Sequence, residues 1–325
     1  MLGQEARAFL NMCERNPMSD LKPVVVKLEL PFAVERRGRP EREQVVGWDR
    51  ARSGAYLAAL QRELSANAGQ FDDCEVVAVR MGGGIATNAA GEDLAALGTQ
   101  LRRSLHVAED AFTSARASLA NISGASITYL RRAGVRRFDF ELLSLDKVDF
   151  GRLNHVDALQ DLQVITEVIL HGEASRSYGV VLAYGYETTG TAPVRRSALE
   201  AARSCCSHVT FERWQGWRAG GVAAASDEQA NAQLEQARDA LAANGFMEYA
   251  PLRFARAGEA DPYWSALQAG TDVLGFGLGA RTAFDGAVSV NTTDWDTYLR
   301  HSDDFSLITA SSGPRKEAPN TAPGR

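Results

Sequence analysis

The strongest constraint on what this chain can fold into is a strand–helix alternation that begins near residue 23 and continues past residue 210. Val24-Val25-Val26-Lys27-Leu28-Glu29-Leu30 is β-branched and turns period-two towards its end, the pattern of a strand. Leu57, Leu60 and Leu64 then recur at helical spacing. Cys74 to Met81 predicts a second strand, and Leu94, Leu97 and Leu101 a second helix. Ala111 to Ala115 predicts a short third strand, followed by a helix with Ser123 as N-cap and Gly134 just past its end. Arg137 to Leu143 predicts a fourth strand, residues 158–170 a helix, and Tyr178 to Tyr184 and Val209 to Trp214 further strands. Repeated βα units of this length demand parallel strands joined by right-handed crossovers. The fold is therefore α/β, a closed or partly closed barrel or a doubly wound sheet.

Residues 1–20 read as an N-terminal extension and 21–220 as the α/β unit, with Gly216 to Ala225 as a Gly- and Ala-rich linker. Ser226-x-x-Gln229 makes a capping box before a helix carrying Ala230, Leu234, Ala237 and Leu241, closed by Gly245. Met247 to Phe254 and Val273 to Leu278 predict strands of a smaller C-terminal unit over 221–308. Residues 309–325 are polar and Pro-rich, and are expected to be a disordered tail. A net charge of −6 argues against nucleic acid as a partner, since that needs a clustered basic face. The nearest basic run, Arg131-Arg132 with Arg136-Arg137, reads as a solvated rim. No apolar run reaches the ~18 residues of a membrane span. Glu5, Arg7 and Glu14 interrupt any leader-like pattern, so a cytoplasmic location is expected. Cys13, Cys74, Cys205 and Cys206 form no Cys-x-x-Cys pair and read as structural thiols, not metal ligands.

Further marks fall in a fixed order along the chain: Leu30-Pro31-Phe32, Tyr56-Leu57-x-x-Leu60, Gly82-Gly83-Gly84, Arg132-Ala133-Gly134-Val135-x-Arg137, Ser144-x-Asp146, Gly151-Arg152 and Tyr184-Gly185. They continue through Phe254-Ala255-Arg256-x-Gly258, Tyr263-Trp264, Gly275-x-Gly277-x-Gly279-Ala280, Asn291 and Tyr298-Leu299. In this succession residues 23–300 resemble the oxygen-independent coproporphyrinogen III oxidases and heme chaperones of the radical S-adenosylmethionine (SAM) superfamily. The resemblance implies a partial, three-quarter parallel β/α barrel with a smaller C-terminal α+β unit. It also implies a [4Fe–4S] cluster held by three cysteines after the Pro-Phe, but Ala33, Arg37 and Pro40 occupy those positions here. Alanine and proline carry no ligating side chain, a guanidinium stays protonated, and thiolates are what hold such clusters. No cluster and no radical chemistry are expected.

The SAM-binding positions implied by the resemblance have drifted too. Gly82, Gly83 and Gly84 remain as a vestigial SAM-type loop, followed by Ile85-Ala86 where the family has Thr-Pro. The family acid of the third strand aligns to Arg116, and its ribose contacts to Leu143 and Val181. SAM binding is disfavoured, and no other cofactor is expected. The heme-chaperone His-Asn-x-x-Tyr-Trp motif is Glu259-Ala260-Asp261-Pro262-Tyr263-Trp264, without the histidine, so Tyr263-Trp264 reads as packing.

Lys27 and Glu29 share one side of their strand, as do Asp139 and Glu141. With Arg116 they are the candidate catalytic residues, expected near the former SAM cavity. Two readings stand. The charges form a compensating buried network, or they bind a polar small molecule, with Lys27 or Arg116 on a carboxylate or phosphate and Glu29 or Glu141 as general base. The corresponding functions are a non-radical binding or accessory protein beside an intact biosynthetic enzyme, in a tetrapyrrole or specialised pathway, or an enzyme with rebuilt acid–base chemistry. SAM binding without cleavage is a third. His155 is placed near the barrel mouth, while His106, His171, His208 and His301 read as surface or capping residues.

Overall fold

The computed structural model describes residues 21–33, 46–47, 50–118, 122–154, 178–188, 192–204, 206–215 and 221–315. The predicted alternation is present as β1 (Lys22–Glu29), α1 (Arg50–Ala66), β4 (Cys74–Gly82), α2 (Gly91–Ser104), β5 (Val107–Ala117), α3 (Gly124–Arg132), β6 (Val135–Leu143) and α4 (Lys147–Asn154). It continues as β7 (Tyr178–Tyr184), α5 (Pro193–Arg203) and β8 (His208–Arg213). The short strands β2 (Phe32–Ala33) and β3 (Val46–Gly47) pair with each other in parallel. The third long strand is longer than the sequence suggests, because exposed Glu109 and Asp110 break its apolar signal at the N-terminal end. The predicted helix at 158–170 lies outside the described residues, as do 1–20, Cys13, Cys205, His155 and His171.

Strands β11 (Asp272–Phe276), β1, β4, β5, β6, β7 and β8 run parallel in that order. Antiparallel strands extend both ends. β10 (Arg253–Arg256) and β9 (Phe246–Ala250) follow β8, while β12 (Arg281–Phe284), β13 (Ala287–Asn291) and β14 (Thr309–Pro314) follow β11. Among the described residues, 221–315 therefore build no sheet of their own. They add strands to both ends of the barrel sheet, and the expected unit boundary is not a sheet boundary. The expected linker also packs in part: Val222 and Ala225 are buried, and Trp214 Nε1 donates to Val222 O at 2.9 Å. The tail expected to be disordered from residue 309 is a strand as far as Pro314, pairing Ser312 with Ser289 of β13. Its small uncharged residues carry little strand propensity, and only the neighbouring edge orders them.

The predicted capping box forms at Ser226 with Gln229 before α6 (Asp227–Ala242), and the predicted N-cap Ser123 goes further, making a box with Ser126 before α3. α8 (Trp295–His301) and α9 (Phe305–Ile308) precede β14. Alternation along β1 divides the molecule into two compartments. Val24, Val26 and Leu28 enter the large core beneath the helices, together with Leu57, Leu60, Leu94 and Leu97. Val25 faces the barrel interior, where it meets Ala78, Tyr263 and Ala266. Tyr263 and Ala266 belong to α7 (Pro262–Gln268), which packs against β1, β4 and β9 and so spans the gap of the partial barrel. No helix among the described residues is long and apolar enough to cross a membrane.

Candidate functional site

Strand register carries the candidate charges onto the inner face of the barrel. Lys27 pairs with Arg80, Arg80 with Ser114, Ser114 with Arg137, and Arg116 with Asp139. The side chains sort into two levels. The expected single constellation of Lys27, Glu29, Arg116, Asp139 and Glu141 is thereby divided, with Asp139 belonging to the deeper level.

At the deeper level Asp139 accepts from Arg80 and, at 3.1 Å, from Arg137 Nε. Arg80 also donates to Ser114 Oγ at 3.0 Å, and Ser114 Oγ to Asp261 Oδ2 at 2.8 Å. Arg137 closes the circuit onto Asp261, whose other oxygen caps α7 by accepting from Tyr263 N at 2.9 Å. Burial pushes the Asp139 carboxyl up, but the Arg137 and Arg80 guanidiniums outweigh it and hold the group well below the usual carboxylate range. His208, with Nδ1 3.9 Å from Asp139 and Nε2 2.5 Å from Tyr249 OH, is driven well below its ordinary value. Burial is the main cause, followed by the Arg137 charge, so the imidazole is neutral.

Nearer the C-terminal ends of the strands, Lys27 Nζ lies 2.5 Å from Glu29 Oε1. Arg116 bridges strands, with Nε 3.0 Å from Glu141 and Nη2 2.6 Å from Glu212. Barrel enzymes place chemistry at this end. Here each candidate lies against an opposite charge on the chain itself.

The glycine turn after β4 is packed from within. Leu30 N donates to Gly82 O at 2.5 Å and Ile85 N to Phe32 O at 2.8 Å. A Cβ on Gly84 would collide with backbone atoms of Leu30 and Phe32, and one on Gly83, at φ +82°, with the Glu29 carboxylate. Gly84→Ala is accordingly expected to cost about 1–3 kcal/mol, read as a lower denaturant midpoint, because neither backbone can yield without moving a strand. Of the cluster positions, Ala33 ends β2, and Arg37 and Pro40 lie outside the described residues.

Sequence reasoning missed several members of this assembly. Arg137, read as part of a solvated rim, is 0% exposed, and His208, read as a surface or capping residue, is also buried. Period two from Asp139 would have turned Arg137 inwards; the charged neighbour Arg136 hid that signal. Arg80, Ser114 and Glu212 are absent from that reading and Asp261 enters it only within the Tyr-Trp motif, although Arg80 and Ser114 each fall on the inner register of a strand. Tyr263 and Trp264 do pack as expected, Trp264 beneath the Arg253 guanidinium at 3.4 Å.

No family model and no curated protein sequence matches the chain. Among solved structures it is similar to coproporphyrinogen III oxidase from Escherichia coli, described as a radical SAM enzyme. The TM-score is 0.75 at 17% identity, over 94% of this chain and 75% of that one. Looser likenesses are SuiB of Streptococcus suis (TM-score 0.43, 12% identity, 74% of this chain and 50% of that one) and methylornithine synthase (0.42, 9%, 85% and 79%). At these identities a likeness establishes the fold, here by the first comparison alone.

Proposed function

We propose, from the premise that this chain has the partial-barrel fold of coproporphyrinogen III oxidase, that it is a cluster-free, non-radical relative acting as a binding or accessory protein in a tetrapyrrole or specialised biosynthetic pathway. The observation that carries the reading is the composition of the barrel interior. Lys27, Arg80, Arg116 and Arg137 are set against Glu29, Asp139, Glu141, Glu212 and Asp261 in direct ion pairs. The first of the two sequence readings, a compensating network, describes this arrangement best.

The donor set implied by the fold does not fit a cluster. Ala33, Arg37 and Pro40 offer no thiolate, and the chain has no cysteine between Cys13 and Cys74. The protein would therefore act through its surface or mouth, beside an enzyme that retains the redox chemistry. An acid–base enzyme is the second reading, favoured by the partial accessibility of the Lys27 and Glu212 side chains, 32% and 36%.

Anaerobic reconstitution with iron and sulfide is expected to leave the protein colourless and iron-free. About four irons per chain, with release of methionine and 5′-deoxyadenosine from SAM, would overturn the reading. Calorimetry against SAM and against porphyrins then separates an accessory protein of tetrapyrrole metabolism from one serving another pathway.

A further inference from the structure

The glycine turn and the first strand together contain a feature that loss of a cluster does not explain. Gly83 leaves a space where a side chain would stand, and the Glu29 carboxylate fills it. Lys27 holds the other oxygen of that carboxylate at 2.5 Å, and the two side chains keep 32% and 12% of their surface for Lys27 and Glu29 respectively. A carboxylate and an ammonium are thus fixed side by side against the turn, the charge pattern of an amino acid supplied by the chain itself.

We propose that Glu29 is the specificity-determining residue of the barrel mouth, a tethered occupant that closes the glycine turn to diffusible carboxylates. A ligand that reaches the turn in the wild type must leave this carboxylate in place. It must therefore be one that donates to it, an amine or a polyol rather than a carboxylic acid. Removing the Glu29 side chain leaves Lys27 beside a space the size of a small carboxylate.

The test is thermal unfolding of the full chain as wild type, Glu29→Ala and Glu29→Gln, in sodium acetate against sodium chloride of equal ionic strength. Acetate is expected to raise the Tm of Glu29→Ala by on the order of 2–4 °C, and to leave wild type and Glu29→Gln unmoved because their turn is filled. An equal response in all three proteins, or none in Glu29→Ala, would overturn the assignment. If Glu29→Ala does not fold in chloride, refolding yield is the readout. Recovery in acetate supports the assignment, and equal failure in both salts refutes it. The inference rests on the cofactor-free reading of the turn, yet the two fail separately. A cluster-bearing, SAM-cleaving protein sinks that reading, whereas absent acetate rescue in cluster-free protein sinks only the role of Glu29.

Discussion

Asp261→Ala is expected to lower stability by about 3–5 kcal/mol, the range for breaking one side of a buried ion pair. Asp261 is completely buried, so its loss leaves Arg137, also completely buried, with the single carboxylate of Asp139 and removes the acceptor of Ser114 Oγ. It also takes the cap from α7, itself worth about 1 kcal/mol. For a domain with a total stability of about 5–15 kcal/mol this is a large fraction. Equilibrium urea unfolding measures it directly. The double variant Arg137→Met/Asp261→Leu should lose less than the two single losses combined, since it removes the unpaired charge along with its partner. A cost below about 1 kcal/mol for Asp261→Ala would mean that water reaches the network and that the interior is not the sealed, compensated space described above.

The second large effect lies outside the barrel interior, at Glu63 on α1. Its carboxylate accepts from Asn291 Nδ2 at 2.7 Å, Gly277 N at 2.8 Å and Tyr298 OH at 2.6 Å, tying the helix to the C-terminal strands. Burial raises its pKa from 4.5 to about 7 in spite of these three donors. The folded state therefore holds the proton more tightly than the unfolded chain, and stability declines as pH rises from about 4.5 to about 7. The size is about 3 kcal/mol if the whole shift is expressed. Asp139, Asp146 and Asp272 act with the opposite sign, since their lowered values contribute stability that is lost as the solution is acidified below the usual carboxylate range. Glu63→Gln removes the ionisation at a cost that does not vary with pH, because its amide nitrogen would face the Gly277 N–H at the Oε2 position or the Asn291 amide at Oε1. It should flatten the decline between pH 4.5 and 7 while leaving the acid limb intact. Denaturant midpoints of wild type and variant across that range decide the matter; parallel curves would exclude Glu63 as the titrating group.

How much of this was legible in the sequence depends on the kind of signal. Val24 to Leu30, the leucines of α1 and α2, the Ser123 N-cap and the Ser226 capping box follow local rules, and the structure places each where those rules put it. The resemblance supplied the barrel, which periodicity alone left open between a barrel and a doubly wound sheet. What escaped was set by distant neighbours. β14 has no strand signal of its own and exists because β13 offers an edge. Arg137 looks solvated beside Arg131, Arg132 and Arg136, and only the pairing of β5 with β6 turns it inwards to Asp139 and Asp261. Asp261 lies 124 residues from Arg137, and no local spacing announces that contact. The candidate residues share one face of the sheet, as strand alternation expects, while their division into two levels depends on how far each strand is staggered against the next and leaves no mark in the local sequence.

The pairing of β1 with β11, which sets Val25 beside Val273, also fixes when this protein can finish folding. On a ribosome the first strand emerges well before the neighbour that covers its outer edge, which is about 250 residues further along the chain. At ~5–20 residues per second that edge waits roughly ten seconds to a minute. Closure of the barrel by α7 falls in the same late interval. Nascent chains that stall before residue 272 would expose an apolar β edge and an unsealed charged interior together. Such intermediates are natural clients for chaperones, and an amino-terminal fragment ending at the linker should aggregate rather than fold.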